Sequence, residues 1–325
     1  SSTSRGLGDV YKRQDLISDG TDVVIAGILE HLEPAGVHSG DSTAVLPPYS
    51  IEEKMLTEIK DKSIKLALSL NVRGLLNIQF AIKENELYIL EANPRASRTM
   101  PFVAKVTKNQ IIKAGTLIML GHKIKDILKD TDYLSSKTNK IAVKKAIFPW
   151  SRFPAEDTML GPEMKATGEV LGIGSKLGIA LNKAYAAAGV EIGVKQQGIF
   201  ITLSDEDKNK FLKTIRKYID LEFKIYATEG TSEFLLKNNI ESIKVGRADD
   251  EAPTSLTIMQ KDLISLVINT PTFANEYTDG WKIRRLAHDS GVAVVSSVRE
   301  AEAFIEAYVE SNNALVDIGV IQDVS

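Results

Sequence analysis

The chain has 325 residues, a formal net charge of −3, a pI near 5.9 and no cysteine. The length predicts about two domains with a sizeable core, and the mild negative charge excludes the basic surface that nucleic-acid binding needs. Disulfides, cysteine-ligated zinc and thiol nucleophiles are excluded, and no apolar run has the length of a membrane span. No signal peptide is evident, so a reducing cytoplasmic location is the default expectation.

The first fourteen residues, SSTSRGLGDVYKRQ, are rich in Ser, Gly and Arg and have no periodic apolar face. Residues 1–14 are therefore predicted to be a tail outside the fold, either a non-native addition from sequence assembly or a disordered native terminus. The chain is then expected to begin in the middle of a domain. From Asp15 to Leu32, apolar runs flank Ser18, Asp19 and Gly20, which predicts a hairpin.

A small, polar, glycine-flanked stretch, GVHSGDS, follows the hairpin. This composition is typical of a loop whose backbone approaches a ligand closely. His38, taken alone, is better explained as a loop histidine with local hydrogen bonds. After two prolines, Ser50 and Glu53 have the spacing of a capping box for the next helix.

Two strands joined by a polar turn are predicted between residues 71 and 93. Because strand side chains alternate faces, Glu91 and Asn93 point the same way, and the hairpin brings Gln79 alongside them. One carboxylate beside two amide oxygens suits Mg²⁺. Waters and nucleotide phosphates would complete the coordination of the ion. An ordinary hairpin with a solvated charged end remains the simpler explanation on spacing alone.

Arg95 and Arg98 come within a few residues of these candidate metal ligands. Guanidinium groups so placed would neutralise charge on a transferred phosphoryl group.

Strands alternate with helices after about residue 190, which predicts a parallel sheet with helices on both faces. Ligands bind such sheets outside the carboxyl ends of the strands. The sequence Thr-Glu-Gly-Thr from residue 228 offers hydroxyls and N–H groups to a phosphate, and nearby lysines add positive charge. Turn and cap residues explain the pattern equally well. The polar candidates are Thr202, Lys208, Thr228, Thr231, Lys244 and Asn269.

Several of these stretches resemble one family. QFAIKENELYILEANPRASRT and EHLEPAGVHSGDSTAVLPPYS resemble the metal hairpin and nucleotide loop of an ATP-grasp enzyme, the carbamoyl-phosphate synthetase large subunit, in its second synthetase half. The later region is similar to the methylglyoxal-synthase-like regulatory domain of that subunit. The resemblance implies an α/β and α+β fold: part of an ATP-grasp domain at residues 15–190, then a Rossmann-like parallel-sheet domain at residues 191–325.

The resemblance also implies an activity, which is ATP-dependent phosphorylation of carbamate in glutamine-hydrolysing carbamoyl phosphate synthesis for the pyrimidine and arginine pathways. It implies ATP and Mg²⁺ or Mn²⁺ as cofactors, with Arg95 and Arg98 catalytic. The implied metal ligands are Gln79, Glu91 and Asn93. The implied ATP-binding residues are Gly36, Val37, His38, Ser39, Gln79 and Glu91.

The same resemblance implies several partners. A small glutaminase subunit would supply ammonia, and a nucleotide effector such as UMP or IMP would bind the polar residues at the edge of the second sheet. The intact enzyme is expected to be an oligomer, with neither nucleic acid nor membrane as a partner.

Two departures from the family pattern bear on function. The lobe that covers the nucleotide would lie upstream, so we expect this fragment alone to be inactive. Glu33 and Asp41 match an acidic ornithine pocket, but Lys145 stands where a glutamate is expected and Val294 where an aromatic hydroxyl is expected. A lysine repels the ammonium groups of ornithine, so we expect no activation by ornithine.

Two alternatives stay open. The chain could act only as an effector-binding module with an inert synthetase part. It could also belong to a different ATP-grasp ligase, although few of these carry a regulatory domain.

Overall fold

The computed structural model describes residues 10–128, 139–153, 156–190, 192, 198–246, 253–260, 263–270 and 279–313. Within these residues the strands form two separate sheets, one antiparallel and one parallel. No helix in the described ranges combines the length and apolar composition that a membrane crossing requires.

The first sheet is antiparallel and carries a helical layer on each face. Leu16 and Ile17 show how the chain builds it: successive strand residues point to opposite faces, and the two leucine-sized side chains enter different cores. The strands are β1 (Val10–Asp19), β2 (Val23–His31), β3 (Ala44–Leu46), β4 (Arg73–Lys83), β5 (Glu86–Asn93), β6 (Ile141–Ile147) and β7 (Gly168–Gly174). Their order in the sheet is β5-β4-β1-β2-β3-β6-β7.

In the described residues between β3 and β6 the α-helices are α1 (Glu53–Ser69), α2 (Thr99–Thr107), α3 (Ile111–Met119) and α4 (Ile124–Ile127). Helix α1 buries Ile59 and Ala67 on one face of the sheet, in the cluster that contains Leu16 and Phe80. Helices α2 to α4 cover the other face and pack around Ile17. The predicted hairpin from Asp15 to Leu32 is confirmed as β1 and β2.

The predicted capping box at the start of α1 is wrong. Helix α1 begins at Glu53 after Glu52, and no side chain caps it. Ser50 instead donates its hydroxyl to the buried carboxylate of Glu30. That carboxylate is unavailable to sequence reasoning because it lies on a strand twenty residues earlier.

Residues 10–14 do not lie outside the fold, so that part of the predicted tail is wrong. They form the first half of β1, where Lys12 pairs in register with Glu30 of β2 and with Phe80 of β4. The tail prediction failed because it judged the stretch by its own composition, whereas two neighbouring strands supply its pairing. Residues 1–9 lie outside the described residues.

The side chains of this stretch nevertheless fit their surroundings poorly. Buried atoms without a hydrogen bond occur on three consecutive residues, at Lys12 Nζ, Arg13 Nε and Gln14 Nε2. Lys12 Nζ lies 3.1 Å from Glu30 Oε1 but without hydrogen-bond geometry, and burial lowers the pKa of Lys12 to about 7 despite that carboxylate. Native structures seldom leave such groups unsatisfied, so this segment is a local conflict with the fold.

The second sheet is parallel, with order β10-β9-β8-β11-β12. Its strands are β8 (Gly198–Thr202), β9 (Lys224–Thr228), β10 (Ile243–Val245), β11 (Leu266–Asn269) and β12 (Ala293–Val295). The helices around it are α6 (Asp205–Asp220), α7 (Glu229–Lys237), α8 (Ser255–Gln260), α9 (Asp279–Asp289) and α10 (Val298–Asn313). Buried residues line both faces of the sheet, Ile199 and Ile201 on one and Phe200 on the other. The parallel-sheet prediction is therefore confirmed.

The two sheets are joined through α5 (Leu177–Ala187), which packs on β7 and on α10. Gly178 allows close contact there, because a Cβ at this position would be 2.2 Å from the Glu306 carbonyl oxygen. Tyr185 of α5 stacks edge-on against Phe304 of α10. One buried cluster thus contains residues from both parts of the chain.

Removing the unsatisfied amide of Gln14 should stabilise the protein. Gln14 is fully buried, and the single hydroxyl proton of Ser63, which can point to Gln14 Oε1 at 2.8 Å, can point instead to the Ile59 carbonyl at 2.7 Å. Gln14→Met should therefore raise the free energy of unfolding by about 1–2 kcal/mol, the penalty of one buried unpaired polar group. Denaturant titration measures it. Gln14→Glu, which adds a buried charge, should lower stability, and equal stability of the two variants would contradict the interpretation.

Candidate functional site

The hairpin of β4 and β5 brings the three predicted metal ligands together. Gln79 lies opposite Glu91 in the strand register, and both amides donate to Glu91 Oε1: Gln79 Nε2 in a short contact and Asn93 Nδ2 at 2.9 Å. A bulge after Gln79 shifts the register there. The carboxylate is exposed, so it can accept a ligand from solvent.

The predicted nucleotide loop lies beside this hairpin. Gly36 has a φ of 112°, a conformation that glycine adopts readily. His38 donates its backbone N–H to the Gly161 carbonyl at 2.7 Å, and its Nδ1 accepts from the Gly40 N–H. Ser39 accepts a hydrogen bond from Arg13, whose strand position is directly opposite Gln79. One arginine therefore links the loop to the hairpin.

The charges of the hairpin and of the loop act on the same histidine. Burial lowers the pKa of His38, the nearby Arg13 and Arg98 lower it further, and Asp41 and Glu91 oppose them. The structure thus brings Glu91, Arg98 and the loop into one electrostatic neighbourhood.

Arg98 lines a cleft of about 390 Å³ together with Pro101, Gly168 and Glu169. It precedes α2, is exposed, and its Nη1 lies 2.5 Å from the Met164 sulfur. Arg95 is exposed, and its guanidinium donates to the carbonyl of the neighbouring Ala96. Arg98 is therefore the better placed of the two predicted catalytic arginines.

Asp15 is a site-positioning residue that sequence reasoning missed. It is fully buried in β1 and accepts from Asn77 of β4 at 2.8 Å, from Ser97 at 2.6 Å and from Thr99 at 2.5 Å. Ser97 and Thr99 bracket Arg98, so this carboxylate fixes the turn that carries the arginine. The sequence carried little signal for this role, because Asp15 follows the polar residues Lys12, Arg13 and Gln14 and looks like one more surface group.

Asp41 and Lys144 hold the nucleotide loop from its other side. Asp41 is almost fully buried and accepts from the backbone N–H groups of Lys165 and Ala166, at 2.8 and 2.9 Å. Lys144 is buried, donates to the Gly40 carbonyl at 3.1 Å, and burial lowers its pKa. Both oxygens of Asp41 are thus engaged within the chain.

The predicted effector residues share one edge of the second sheet. Thr202 pairs with Asn269 at the carboxyl ends of β8 and β11. Thr228 precedes α7 and contacts Thr231, whose hydroxyl accepts from the Leu203 N–H at 3.1 Å. This edge is polar, as a ligand-binding edge of a parallel sheet should be.

Both predicted lysines lie at this edge but are already engaged. Lys208 pairs with Asp205 at 2.6 Å, and its Nζ is 3.9 Å from where a Cβ on Gly230 would lie. Lys244 pairs with Glu229 in a short contact. The Asn269 Oδ1 accepts from Arg284 at 2.6 Å, an arginine that the sequence did not single out.

Glu33 lies in a buried polar cluster between the two sheets. Burial and the neighbouring Glu300 raise the pKa of Glu33 to about 7, while Lys145 opposes them. The Lys145 ammonium is 4.2 Å from the centre of the Tyr185 ring. Glu300 itself accepts from Ser296 ahead of α10.

Two family models match the chain. Residues 13–127 match the model described as "Carbamoyl-phosphate synthase L chain, ATP binding domain", and residues 210–296 match "MGS-like domain". These matches define the class: an ATP-binding synthase domain of ATP-grasp type followed by a methylglyoxal-synthase-like domain.

Relatives at about 40% identity extend over most of the chain. The carbamoyl phosphate synthase large chain of Archaeoglobus fulgidus is 44% identical over 90% of this chain and 27% of its own length. The C-terminal sections of the large chain from Aquifex aeolicus and Methanocaldococcus jannaschii are each 40% identical over 90% of this chain, and 57% and 48% of their own lengths. The chain belongs to the carbamoyl-phosphate synthase large-chain family and corresponds to its C-terminal portion. It spans between 27% and 57% of the length of these relatives.

Among solved structures, the biotin carboxylase domain of a single-chain bacterial carboxylase matches 55% of this chain and 46% of its own, with a TM-score of 0.42 and 13% identity.

The Glu33 carboxylate should make stability depend on pH. Its folded pKa of about 7 exceeds the usual glutamate value of 4.5, so its favourable contribution is complete below pH 4.5 and is lost as pH rises through 7. Glu33→Gln keeps the acceptor for the Thr43 N–H and removes the charge. The free energy of unfolding should be measured for both proteins at pH 5 and at pH 8. The stability of the variant relative to wild type should rise by up to about 3 kcal/mol between these two values. A pH-independent difference would contradict this assignment.

Proposed function

We propose that this chain carries the site at which MgATP phosphorylates carbamate in carbamoyl phosphate synthesis. The observation that carries the proposal is the convergence of Glu91 and its two amides with His38 and Arg98. Relatives named carbamoyl phosphate synthase large chain support it. The chain spans only part of those relatives. We therefore also propose, rather than infer from the relatives, the complete carbamoyl phosphate synthesis, its place in the pyrimidine and arginine pathways and a glutaminase partner.

The donor set fits a magnesium ion. One exposed carboxylate and two amides suffice when waters and nucleotide phosphates provide the other ligands. The two amide nitrogens now donate to Glu91, but an amide presents its oxygen after a 180° rotation, and its orientation follows its partner. Glu91, Gln79 and Asn93 would hold the ion, which would neutralise phosphate charge when bound.

The chain's own groups supply positioning and fixed charge. Arg98, held by the turn that Asp15 organises, would orient carbamate or stabilise the moving phosphoryl group. The loop at His38, held by Asp41 and Lys144, would contact the nucleotide. Phosphoryl transfer needs little covalent help from a protein, so orientation and electrostatics must provide the acceleration.

The second sheet is proposed to bind a nucleotide effector such as UMP or IMP. Supporting this are the polar edge that contains Thr202 and Asn269, and the start of α7, where Thr228 and Thr231 present hydroxyls. Lys208 adds positive charge close to Gly230. A phosphate suits this combination of backbone N–H groups, hydroxyls and an ammonium.

Glu91→Ala should abolish ATP formation from MgADP and carbamoyl phosphate. The assay should compare this chain with one extended by the upstream region of a relative, because the covering lobe is expected there. We expect activity in the extended protein and a loss of about 100-fold or more for Glu91→Ala, the size typical of removing one transition-state stabiliser. Glu86→Ala, an exposed acid on the same strand, is the matched control and should stay near wild type.

Full turnover by the extended Glu91→Ala variant would refute the metal-ligand assignment. An inactive extended wild type would refute the synthetase proposal. Nucleotide binding that requires Lys208 but not Glu91 would then support the effector-binding alternative.

We further propose that ornithine is not a ligand. Both oxygens of Asp41 are taken by backbone N–H groups, and the Lys145 ammonium acts on Glu33 in the same region. An ammonium group of ornithine in this region would be repelled by the ammonium of Lys145. Calorimetric titration with ornithine should give no saturable heat; saturable binding that Asp41→Ala removes would contradict the proposal.

A further inference from the structure

Arg284 of α9 joins the two parts of the chain through a guanidinium whose three nitrogens each donate a hydrogen bond. It is 4% exposed. Its Nε donates to Asp157 Oδ1 at 2.9 Å and its Nη2 to Asp157 Oδ2 at 2.5 Å, so the pair is bidentate. Its Nη1 donates to Asn269 Oδ1 at 2.6 Å. A planar fork of this kind fixes geometry more strictly than a lysine could.

The neighbouring Arg285 supports the same contact. Its Nη1 donates to the carbonyls of Trp150, at 3.2 Å, and Phe153, at 3.0 Å. Two consecutive residues of α9 therefore hold the segment that follows β6.

From Asp157 the connection continues to the nucleotide loop through bonded groups. Asp157 Oδ1 accepts from the Met159 N–H, and Lys165 Nζ donates to the Asp157 carbonyl at 3.1 Å. The backbone of Lys165 donates to Asp41, and Asp41 donates its own N–H to the His38 carbonyl at 2.9 Å.

The same segment meets the site at two further points. The Gly161 carbonyl accepts from the His38 N–H at 2.7 Å, and Met164 contacts Arg98. Residues 157–166 thus lie between the edge of the second sheet and the loop and arginine of the first site.

We infer that the Arg284–Asp157 pair couples occupancy of the effector edge to the position of the nucleotide loop, Arg284 acting as a positioning residue. This inference rests on the proposed effector site at Asn269. An anion bound there attracts the guanidinium that Asp157 now holds, so ligand and carboxylate compete for one cation. Because coupling is reciprocal, whatever loosens Asp157 from Arg284 must also change the affinity for the effector.

The test compares Asp157→Asn with Glu156→Gln. Both remove one negative charge from adjacent positions, but Glu156 is exposed and no contact joins it to Arg284 in the described residues. Nucleotide affinity is measured by calorimetry with UMP and IMP, and with inorganic phosphate as the minimal anion. Hydrogen exchange reports the amides of His38, Lys165 and Ala166 with and without these probes.

Asp157→Asn should bind a nucleotide probe about 5-fold or more tightly than wild type, at the lower end of typical coupling factors. The probe should alter exchange of the His38 and Lys165 amides in wild type but not in Asp157→Asn. Glu156→Gln should behave as wild type in both measurements. Structural damage alone would weaken nucleotide binding. Tighter binding together with lost coupling therefore distinguishes a broken connection from a damaged fold.

Arg284→Lys keeps the charge but cannot bond Asp157 and Asn269 together. This variant should also lose the probe-induced change in hydrogen exchange at the His38 amide. It therefore tests the inference even if the Asp157 variant fails to fold. Unchanged affinity and unchanged coupling in both variants would overturn the inference.

Failure of the effector proposal would have a different signature. If wild type binds no probe, the proposed effector site is wrong. Hydrogen exchange without ligand still tests whether the Arg284–Asp157 pair holds the nucleotide loop. Asp157→Asn should then speed exchange of the Lys165 and His38 amides at least ~5-fold relative to Glu156→Gln, and equal rates would refute it.

Discussion

The carboxylate of Glu30 joins parts of the chain that are far apart in sequence. It is fully buried on β2 and accepts from the N–H groups of Tyr49 and Ser50 and from Arg299 of α10. Burial alone would raise the pKa of Glu30, but Lys12, Ser50 and Arg299 together lower it to about 2. Losing one partner of such a buried pair typically costs ~3–5 kcal/mol, so the docking of α10 depends on this charge.

Buried carboxylates play the same part nearer the site. Asp15 fixes the turn around Arg98, and Asp41 fixes the backbone at Lys165. Each carboxylate accepts two or more short hydrogen bonds. These bonds offset the cost of burying its charge and fix the positions of the donor groups. The exposed groups of the site, Glu91 and Arg98, can then meet ligands while the groups that place them are shielded from water.

The local patterns in the sequence predicted much of this arrangement. Alternation along β4 and β5 was enough to bring Gln79 to Glu91, and the strand–helix alternation was enough for the parallel sheet. The capping box at Ser50 and the tail up to Gln14 failed for one reason: a distant strand competed for the local group. Local propensity is a weak guide wherever tertiary contacts offer a stronger partner.

The sequence by itself predicted the two hairpins, the parallel sheet and the proximity of Gln79, Glu91 and Asn93, and its short motifs indicated the family. All of these depend on residues that lie close together in the chain. Only the tertiary structure decided which charges meet. Arg299 and Glu30 are 269 positions apart, and Arg284 and Asp157 are 127 apart. No periodicity specifies such pairs, since they depend on where the folded chain places α9 and α10 relative to residues far away in sequence. The link from Asn269 to the loop at His38 became visible only when both parts were folded together.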